Sequence, residues 1–418
     1  MKKINIGILG YGTIGSSVDE LIRKNHDLIQ KRTGLDLQVL KVCDNSTKVK
    51  HKFLTKDPFD VIQDDQIDVV VEAIGGERPA LNFILAAIKS GKNVVTSNKE
   101  VIALHGDEIL ELAKEKGVSV KFEAAVGGGI PIIGPLSHDL LSNEIEEVYG
   151  IVNGTTNYIL SKMTKEEAEF SDVLKEAQKL GFAESNPKKD IEGYDSSYKA
   201  AILASIAFNS SIDWKDVFFE GIDKIEQEDI VYAKEIGYVI KLLAIAKKSD
   251  TSCEVRVHPT LIAQDHPLAS VFGPMNAIYV KGNMVGELMF YGQGAGGNPT
   301  ASAVVSDIIF CANYKIQSTV ANYTSKKLRV KSIDEIESRY YIRLKVADKH
   351  GVLSEISKVF ADHKVSIATV LQKETKDNIA TIVIIIHKVK EKNLMEAVLR
   401  LKKLPVVKKI CNIIRVGI

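Results

Sequence analysis

The stretch Ile4–Gly15, INIGILGYGTIG, decides the fold. Ile4 to Leu9 is a short apolar run that reads as a buried strand. Gly10-Tyr11-Gly12-Thr13-Ile14-Gly15 follows as a G-x-G-x-x-G turn, and Val18, Leu21, Ile22 and Ile29 then recur at helical spacing. Each glycine has a physical task. Gly10 allows the tight turn, Gly12 lets the backbone approach a pyrophosphate, and Gly15 lets helix and strand pack closely. The free N–H groups of the first helical turn, with Thr13 and Ile14, would meet the phosphates. Alone, the pattern also fits a structural glycine turn. The strand–turn–helix context favours a dinucleotide site.

Working outward, Leu37–Val42 reads as a second strand, and Asp44 beyond it is placed to bond the adenosine ribose hydroxyls. It stands further from Gly15 than the usual ~20 residues, because Asn25 to Asp36 lengthens the connection. Further strands are expected at Asp68–Ala73, Asn93–Thr96 and Val118–Glu123, with helices at Pro79–Ser90 and Val101–Lys116. That alternation predicts an α/β class with a doubly wound parallel sheet. Ligands of such sheets lie beyond the carboxyl ends of the strands, here at Gly75-Gly76 and at Thr96-Ser97-Asn98-Lys99. Ser97 and Glu100 have capping-box spacing, which puts Lys99 in the first helical turn, facing the cleft. A lysine there opposes the helix dipole, so a functional reason for it is attractive.

Composition sets the bounds. A chain of 418 residues is too long for one ordinary core, and two or three domains are expected. Apolar content of 45% and charged content of 26% are those of a soluble globular protein. A net charge of +1 gives no electrostatic reason to expect nucleic acid or an acidic membrane as partner. Cys43, Cys253, Cys311 and Cys411 are far apart and form no C-x-x-C pair, which fits a reduced cytosol. The first residues reach glycines too soon for a signal peptide, and no apolar run approaches the ~20 residues of a membrane helix. A cytoplasmic protein is expected. His258 and His266 each precede a proline, read as loop residues, and have no clustered partners for a metal.

A second stretch carries the chemistry: Ala177–Lys199, AQKLGFAESNPKKDIEGYDSSYK. Glycine and proline punctuate a loop that gathers Glu184, Asp190 and Asp195 near Lys199. Asp195 and Lys199 are four apart and share a helix face. Such a loop could hold an amino acid's ammonium and leave a proton donor nearby. On spacing alone, an ordinary solvated Asp–Lys helix pair fits better.

The same stretch resembles the signature of the homoserine dehydrogenases: Ala177, Gly181, Phe182, Glu184, Pro187, Asp190, Gly193, Asp195 and Lys199 all stand at its spacings. Thr96-x-Asn98-Lys99, Asn153-Gly154-Thr155-Thr156-Asn157-Tyr158-Ile159-Leu160 and Tyr291–Ala303 resemble further motifs of that family. From residues alone, the Asn153 string fits a turn and N-cap equally well. The resemblance runs from the first strand to about residue 320. It implies a Rossmann-like nucleotide-binding domain at 1–135, completed by about 296–320, and an α+β substrate and dimerisation domain at 136–295. The implied reaction is NAD- or NADP-dependent interconversion of L-homoserine and L-aspartate 4-semialdehyde. Lys199 would be the general acid, with Lys99 orienting the substrate or supporting that proton transfer; Glu184 and Asp195 would bind its ammonium, and Asp190 would also bind the substrate. Gly10, Gly12, Thr13, Ile14, Gly15, Asp44, Gly75, Thr96, Lys99, Gly181 and Gly296 would hold the cofactor. Glu123, with the carbonyls of Val126, Gly128 and Ile130, would hold a sodium ion; from residues alone this is just a strand–helix turn. Relatives that prefer the phosphorylated cofactor commonly carry arginine where Cys43 stands. A homodimer or homotetramer is implied.

The rest of the chain has its own pattern. A linker is expected at 321–338, and from Arg339 the periods run strand, helix, strand, strand, helix, strand. This is ferredoxin-like βαββαβ topology, and with the Asp348–Leu353 turn it resembles an ACT domain at 339–418. That resemblance implies an amino-acid effector, L-threonine being a reasonable guess, bound between two copies; a plain dimerisation module is the alternative. Removal of the segment from Arg339 on is expected to leave a folded enzyme. Two rival readings are weaker. An aspartate-semialdehyde dehydrogenase needs a cysteine nucleophile with a base, and none of the four cysteines has that setting. A non-catalytic sensor would not need Lys99, Glu184, Asp195 and Lys199 together.

Overall fold

β-Branched residues crowd the short apolar runs, and such side chains suit a pleated strand buried on both faces. The computed structural model describes residues 1–313 and 327–418. In chain order its first elements are β1 (Lys2–Leu9), α1 (Thr13–Lys24), α2 (His26–Thr33), β2 (Leu35–Cys43), β3 (Leu54–Thr55), α3 (Phe59–Ile62), β4 (Val69–Glu72), α4 (Ala80–Lys89), β5 (Asn93–Thr96), α5 (Lys99–Lys116) and β6 (Val120–Lys121). The six strands form one parallel sheet in the order β3-β2-β1-β4-β5-β6. The order reverses between β1 and β4, the switch point where open α/β sheets bind their ligands. Ile6, Ile8 and Val71 are fully buried in this sheet, and burial of each such side chain contributes roughly 1.5–3 kcal/mol.

Three expectations for this first part of the chain need correcting. Ile29 does not continue the first helix: Asn25 ends α1 with non-helical dihedrals and its N–H bonded to Leu21 O, and Ile29 belongs to α2. Asparagine competes with the helix through its own short polar side chain. Ser97 does not cap α5. Asn98 does, its side chain accepting from Val101 N, while Glu100 turns away to pair with Lys189. Lys99 still falls in the first turn. The strand expected to reach Glu123 stops at Lys121, and the chain tightens into a 3-10 turn, Glu123–Ala125.

The chain continues with β7 (Ile145–Ile151), α6 (Gly154–Glu166), α7 (Phe170–Lys179), α8 (Lys188–Ile191), α9 (Tyr194–Ala207), β8 (Phe218–Phe219), α10 (Gln227–Glu235), β9 (Tyr238–Lys248), β10 (Ser252–Ala263), β11 (Met275–Gly282), β12 (Gly286–Gln293) and α11 (Gly297–Asn313). β12-β11-β7-β9-β10 form an antiparallel run backed by α6 and α9. α11 returns to the first sheet, burying Ala301, Val304 and Ile308 with Val18 and Ile22 of α1. His258 is not a loop residue. It is buried in the middle of β10. Pro259 is tolerated because β10 pairs β8 at Arg256–Val257 and the final strand at Thr260–Leu261, leaving a gap where the missing N–H would point. His266 does lie outside the strands, capping a short 3-10 turn.

The last elements are β13 (Arg329–Val330), β14 (Glu337–Ala347), α12 (Val352–Asp362), β15 (Ile367–Lys376), β16 (Ile379–Lys390), α13 (Glu391–Leu401) and β17 (Val407–Val416). Order β17-β14-β16-β15, antiparallel throughout and covered by α12 and α13, is the βαββαβ topology read from the sequence. The first part of the expected linker, and the end of the expected return to residue 320, lie outside the described residues. The rest is not a loose tether: β13 pairs with β10 at Ser252 and Cys253, and Ser332 and Glu335 close a capping box.

β17 also pairs with β10, through Thr260–Arg415 and Leu261–Val416, so the middle and last sheets are one continuous surface. An ionic cluster seals the junction. Arg343 on β14 is fully buried and donates to Asp229 of α10 from Nε at 2.6 Å and from a terminal nitrogen at 3.2 Å. It also reaches Glu226 and Glu228. Tyr341 and Asn412 donate to the same Asp229 carboxylate.

Candidate active site

A cleft of about 670 Å³ opens between the two halves of the catalytic body. Its walls bring together Thr13 and Ile14 of the glycine turn, Lys99, Gly128, Asn153–Thr155, Gly181, Glu184, Asp190, Asp195, Lys199 and Gly294–Gly296. Residues almost three hundred positions apart therefore meet, as the separate motifs required.

Asp195 is the centre. Gly193 precedes α9 with φ +92°, a conformation that favours glycine, and turns Asp195 inward at the start of that helix. One Asp195 oxygen accepts from Lys199 Nζ at 2.7 Å and from Asn153 Nδ2 at 2.9 Å; the other faces Lys99 Nζ at 3.0 Å. Burial by itself would push the Asp195 carboxyl up, but the ammonium groups of Lys199 and Lys99 hold it well below the usual carboxylate range. The same carboxylate raises Lys99 against the effect of burial. Both lysines thus meet at one fixed carboxylate on the cleft wall. Lys199 spends a second N–H on Val152 O, at 2.7 Å. An ammonium has three, so one remains for a ligand in the cleft.

Asp190 and Glu184 are placed differently. Asp190 accepts from Asn153 Nδ2 at 2.7 Å and Thr155 Oγ1 at 3.3 Å, and burial, then the neighbouring Asp195 charge, raises its pKa. Glu184 is exposed on the cleft wall. Asp195, expected with Glu184 to hold the substrate ammonium, already carries three donors. Asn153 heads the family string read from the sequence, but no site role was expected of it individually. It caps α6, accepting from Thr156 N at 2.9 Å, and its amide nitrogen donates to both aspartates. A capping signal and a site signal coincide on one side chain.

Of the residues expected to hold the cofactor, Gly10–Gly15, Asp44, Gly75 and Thr96 lie at the carboxyl edge of the parallel sheet. Gly10 has φ +89°, and a Cβ on Gly15 would fall 2.0 Å from Gly10 O, so neither position accepts a side chain. Nothing lies within 4 Å of where a Gly12 side chain would project, which leaves that backbone open to a close ligand. Asp44 accepts from Tyr11 N and Ser46 N, both at 2.7 Å, and keeps lone pairs for a ribose. Gly75 follows β4 with φ +81°, its N–H held by Glu72, and buried Thr96 donates to that same Glu72 carboxylate at 2.6 Å. Glu72 therefore shapes this edge, although it reads in sequence as one more strand residue. Buried Asn276, against Gly294, has no hydrogen-bond partner on its amide among the described residues. An orphaned amide beside the cleft suits a polar ligand there. These features together fit a dinucleotide.

Glu123 holds the neighbouring turn. Its Oε1 accepts from Ile132 N at 2.6 Å and Ile133 N at 2.8 Å, and its Oε2 from Gly134 N at 2.6 Å. A carboxylate offers about four lone-pair sites, so one is left. Gly128 faces the cleft with φ +56°, while Val126 and Ile130 are buried behind it. Among the described residues no three His, Cys, Asp or Glu side chains gather as a metal would need. Only an oxygen set with main-chain carbonyls is available, which suits a hard cation. Glu123→Gln turns an amide donor toward N–H groups. It should destabilise the fold by roughly 1–3 kcal/mol, read as a lower thermal midpoint; an unchanged midpoint would mean that these amides find other acceptors.

Comparison with known proteins now decides the family. Family models match in three blocks: "Homoserine dehydrogenase, NAD binding domain" at 10–123, "Homoserine dehydrogenase" at 131–309 and "ACT domain" at 340–406. A homoserine dehydrogenase of Neisseria gonorrhoeae is 42% identical over 99% of both chains, and one of Bacillus subtilis is 41% identical over 100% of this chain and 99% of its own. The chain belongs to the homoserine dehydrogenase family. A crystal structure of a homoserine dehydrogenase from Thiobacillus denitrificans superposes with a TM-score of 0.95, at 41% identity, covering 100% of this chain and 98% of that one. A hyperthermophilic archaeal homoserine dehydrogenase in complex with NADPH matches with a TM-score of 0.64, at 29% identity, covering 76% of this chain and 99% of that one. Membership makes the protein an NAD(P)-dependent oxidoreductase with an ACT module. No helix among the described residues is long and apolar enough to cross a membrane.

Proposed function

We propose that Lys199, Lys99 and Asp195 carry out the family's reaction in this chain, the interconversion of L-homoserine and L-aspartate 4-semialdehyde. The observation that supports this assignment is the Asp195 bridge between two ammonium groups, one of which keeps a free N–H toward the cleft. Bound NAD or NADP supplies or accepts the hydride. In the reducing direction Lys199 donates a proton to the aldehyde oxygen as general acid. Lys99 sits across Asp195 and stabilises negative charge growing on that oxygen. Asp190 and Glu184 hold the substrate ammonium, and the Asn153 amide bridges Asp190 and Asp195. Gly10–Gly15, Asp44, Gly75, Thr96, Gly181 and Gly296 bind or frame the cofactor. A sodium ion held by Glu123 and the carbonyls of Val126, Gly128 and Ile130 would brace the turn. A spectrophotometric assay with homoserine and each nicotinamide cofactor tests the reading; no turnover with either would overturn it.

Cofactor choice follows from β2. Asp44 would repel a 2′-phosphate, and among the described residues no arginine bonds to it; Cys43 is buried and Lys56 is engaged by the carbonyls of Asp44 and Ser46. NAD should be used at least as well as NADP, and Cys43→Arg should shift preference toward NADP. A wild-type kcat/KM strongly favouring NADP would show that another group reads the phosphate.

A homodimer or homotetramer is the proposed assembly. β12 is an edge strand with Met289 and Tyr291 exposed, a surface suited to a second copy. Sedimentation as a monomer at working concentration would refute it. We also propose a cytoplasmic enzyme whose ACT module takes an amino-acid effector. Activity unresponsive to threonine, methionine and related amino acids would make the module an assembly element.

A further inference from the structure

One buried amine takes no part in the chemistry described above. Lys241 of β9 is 2% exposed. No carboxylate pairs with it among the described residues. Its Nζ donates to Asn157 Oδ1 at 3.0 Å and to Val271 O at 2.5 Å. The centre of the Phe272 ring lies 4.7 Å from the same nitrogen and 4.5 Å from Lys165 Nζ. Burial first, then the Lys165 charge, pushes the Lys241 ammonium down to about 7. An amine without its third proton still offers two N–H groups, so both bonds can form in either state. A methionine of similar length would fill this volume without burying an amine. The hydrogen bonds are what the lysine adds.

Those bonds converge on one short segment. Val271 to Pro274 leads into β11, which begins at Met275. Asn157 of α6 donates from its amide nitrogen to Val271 O at 3.2 Å and to Met275 O at 2.9 Å. Its amide oxygen takes the Lys241 bond, and no other group among the described residues donates to that oxygen. Lys241 therefore decides which way the amide faces. Ser161, one turn further along α6, accepts from Gly273 N at 3.1 Å. A Cβ on Gly154 would fall 2.7 Å from Pro274 O, so the start of α6 touches the segment directly. Pro274 and Met275 line the same cleft as Thr155, Asp195 and Lys199, whereas Lys241 stands behind it.

We propose that Lys241 is a positioning residue: by fixing Asn157 and Val271 it sets the Pro274–Met275 wall, against which homoserine and the nicotinamide are aligned for hydride transfer. This role rests on the reaction assigned above. Residues remote from the reacting atoms can matter in this way, because a displacement of about 1 Å at the reacting centre can slow a step ~10²-fold. Groups that lock the residues lining a site hold it to its working geometry.

Full-length Lys241→Met and Lys241→Gln are compared with wild type in homoserine oxidation. Each is assayed with unlabelled homoserine and with homoserine deuterated at C4, the carbon that gives up the hydride. In Lys241→Met, kcat is expected to fall roughly 10- to 100-fold while KM for homoserine stays within about threefold. Lys241→Gln keeps an amide donor and should fall less. The deuterium isotope effect on kcat should rise in Lys241→Met, as a misaligned hydride transfer replaces product release as the slow step. That effect is a ratio of rates within one sample, so a smaller folded fraction does not move it. Asn157→Ala combined with Lys241→Met should be slower than the slower single variant by no more than a factor of about two, since both act through one segment. Fully multiplicative losses would overturn the proposal. So would wild-type kcat with an unchanged isotope effect in Lys241→Met, a result that leaves Lys199 in its role because the wild type turns over in the same assay. Failure of both Lys241 variants to fold would also overturn it, making the lysine a support of the fold alone. A wild type that leaves homoserine untouched overturns the reaction itself, and this role with it.

Discussion

Lys199→Ala lowers turnover by roughly 10²–10⁴-fold, the usual contribution of a positioned general acid, while cofactor affinity stays close to wild type. Loss of the side chain leaves Asp195 with Lys99 and Asn153, so the carboxylate remains compensated and the protein should fold. Lys199→Arg tests the same point from the other side. A guanidinium keeps the positive charge but does not release a proton at ordinary pH, and its planar fork cannot copy the bonds to Val152 O and Asp195. It should be nearly as slow as alanine. Steady-state kinetics with homoserine and each cofactor provide the measurement. Turnover within a factor of a few of wild type in Lys199→Ala would remove this residue from the mechanism and pass the proton to Lys99.

The second large effect concerns stability. Arg343→Met should cost about 3–5 kcal/mol, because Asp229 is left buried with its main cationic partner gone. Tyr341 and Asn412 still donate to Asp229 but carry no charge. Adding Asp229→Leu to Arg343→Met should recover much of that loss, since two apolar side chains of suitable volume need no compensation. Urea unfolding of the single and double variants, followed by Trp214 fluorescence, gives both values. A single-variant cost below about 1 kcal/mol would show that water reaches the cluster and screens it. The same cluster changes the expectation for a chain cut before Arg339. Such a cut removes β14 and β17, strips the partner strand from the end of β10 and exposes Asp229. The remaining body should be less stable than the sequence suggested.

Local signals made much of this fold readable. The glycine turn at Gly10–Gly15 and the alternation of short apolar runs announced the parallel sheet, because runs such as β4 are buried along their whole length and need no partner to be recognised. The βαββαβ periods after Arg339 were equally plain. What escaped depended on contacts distant in sequence. His258-Pro259 looked like a loop because proline usually ends a strand, and only the gap between β8 and β17 makes it acceptable. Ser97 and Asn98 are both good caps, and the spacing to Glu100 pointed to the wrong one; Lys189, far along the chain, draws Glu100 away. In the site, the carboxylates and lysines were legible as types at family spacings. Their division of labour was not, since Asn153 and Lys99 reach Asp195 from other elements. Glu72 and Asn276 carry no sequence signal, being recognisable only once burial leaves a polar atom to account for.

The continuous sheet across β10 and β17 bears on how this protein can be recombined. A regulatory module that ended in a flexible tether could be exchanged between relatives at almost any point in that tether. Here the last strand also pairs with Thr260 and Leu261 of β10, and the arginine of β14 needs the acidic start of α10. A chimera that imports a foreign module without its matching Glu226–Asp229 turn would bury a carboxylate with nothing to meet it. Working exchanges must carry α10 along with the module, so the transferable unit is larger than the one its repeating pattern outlines.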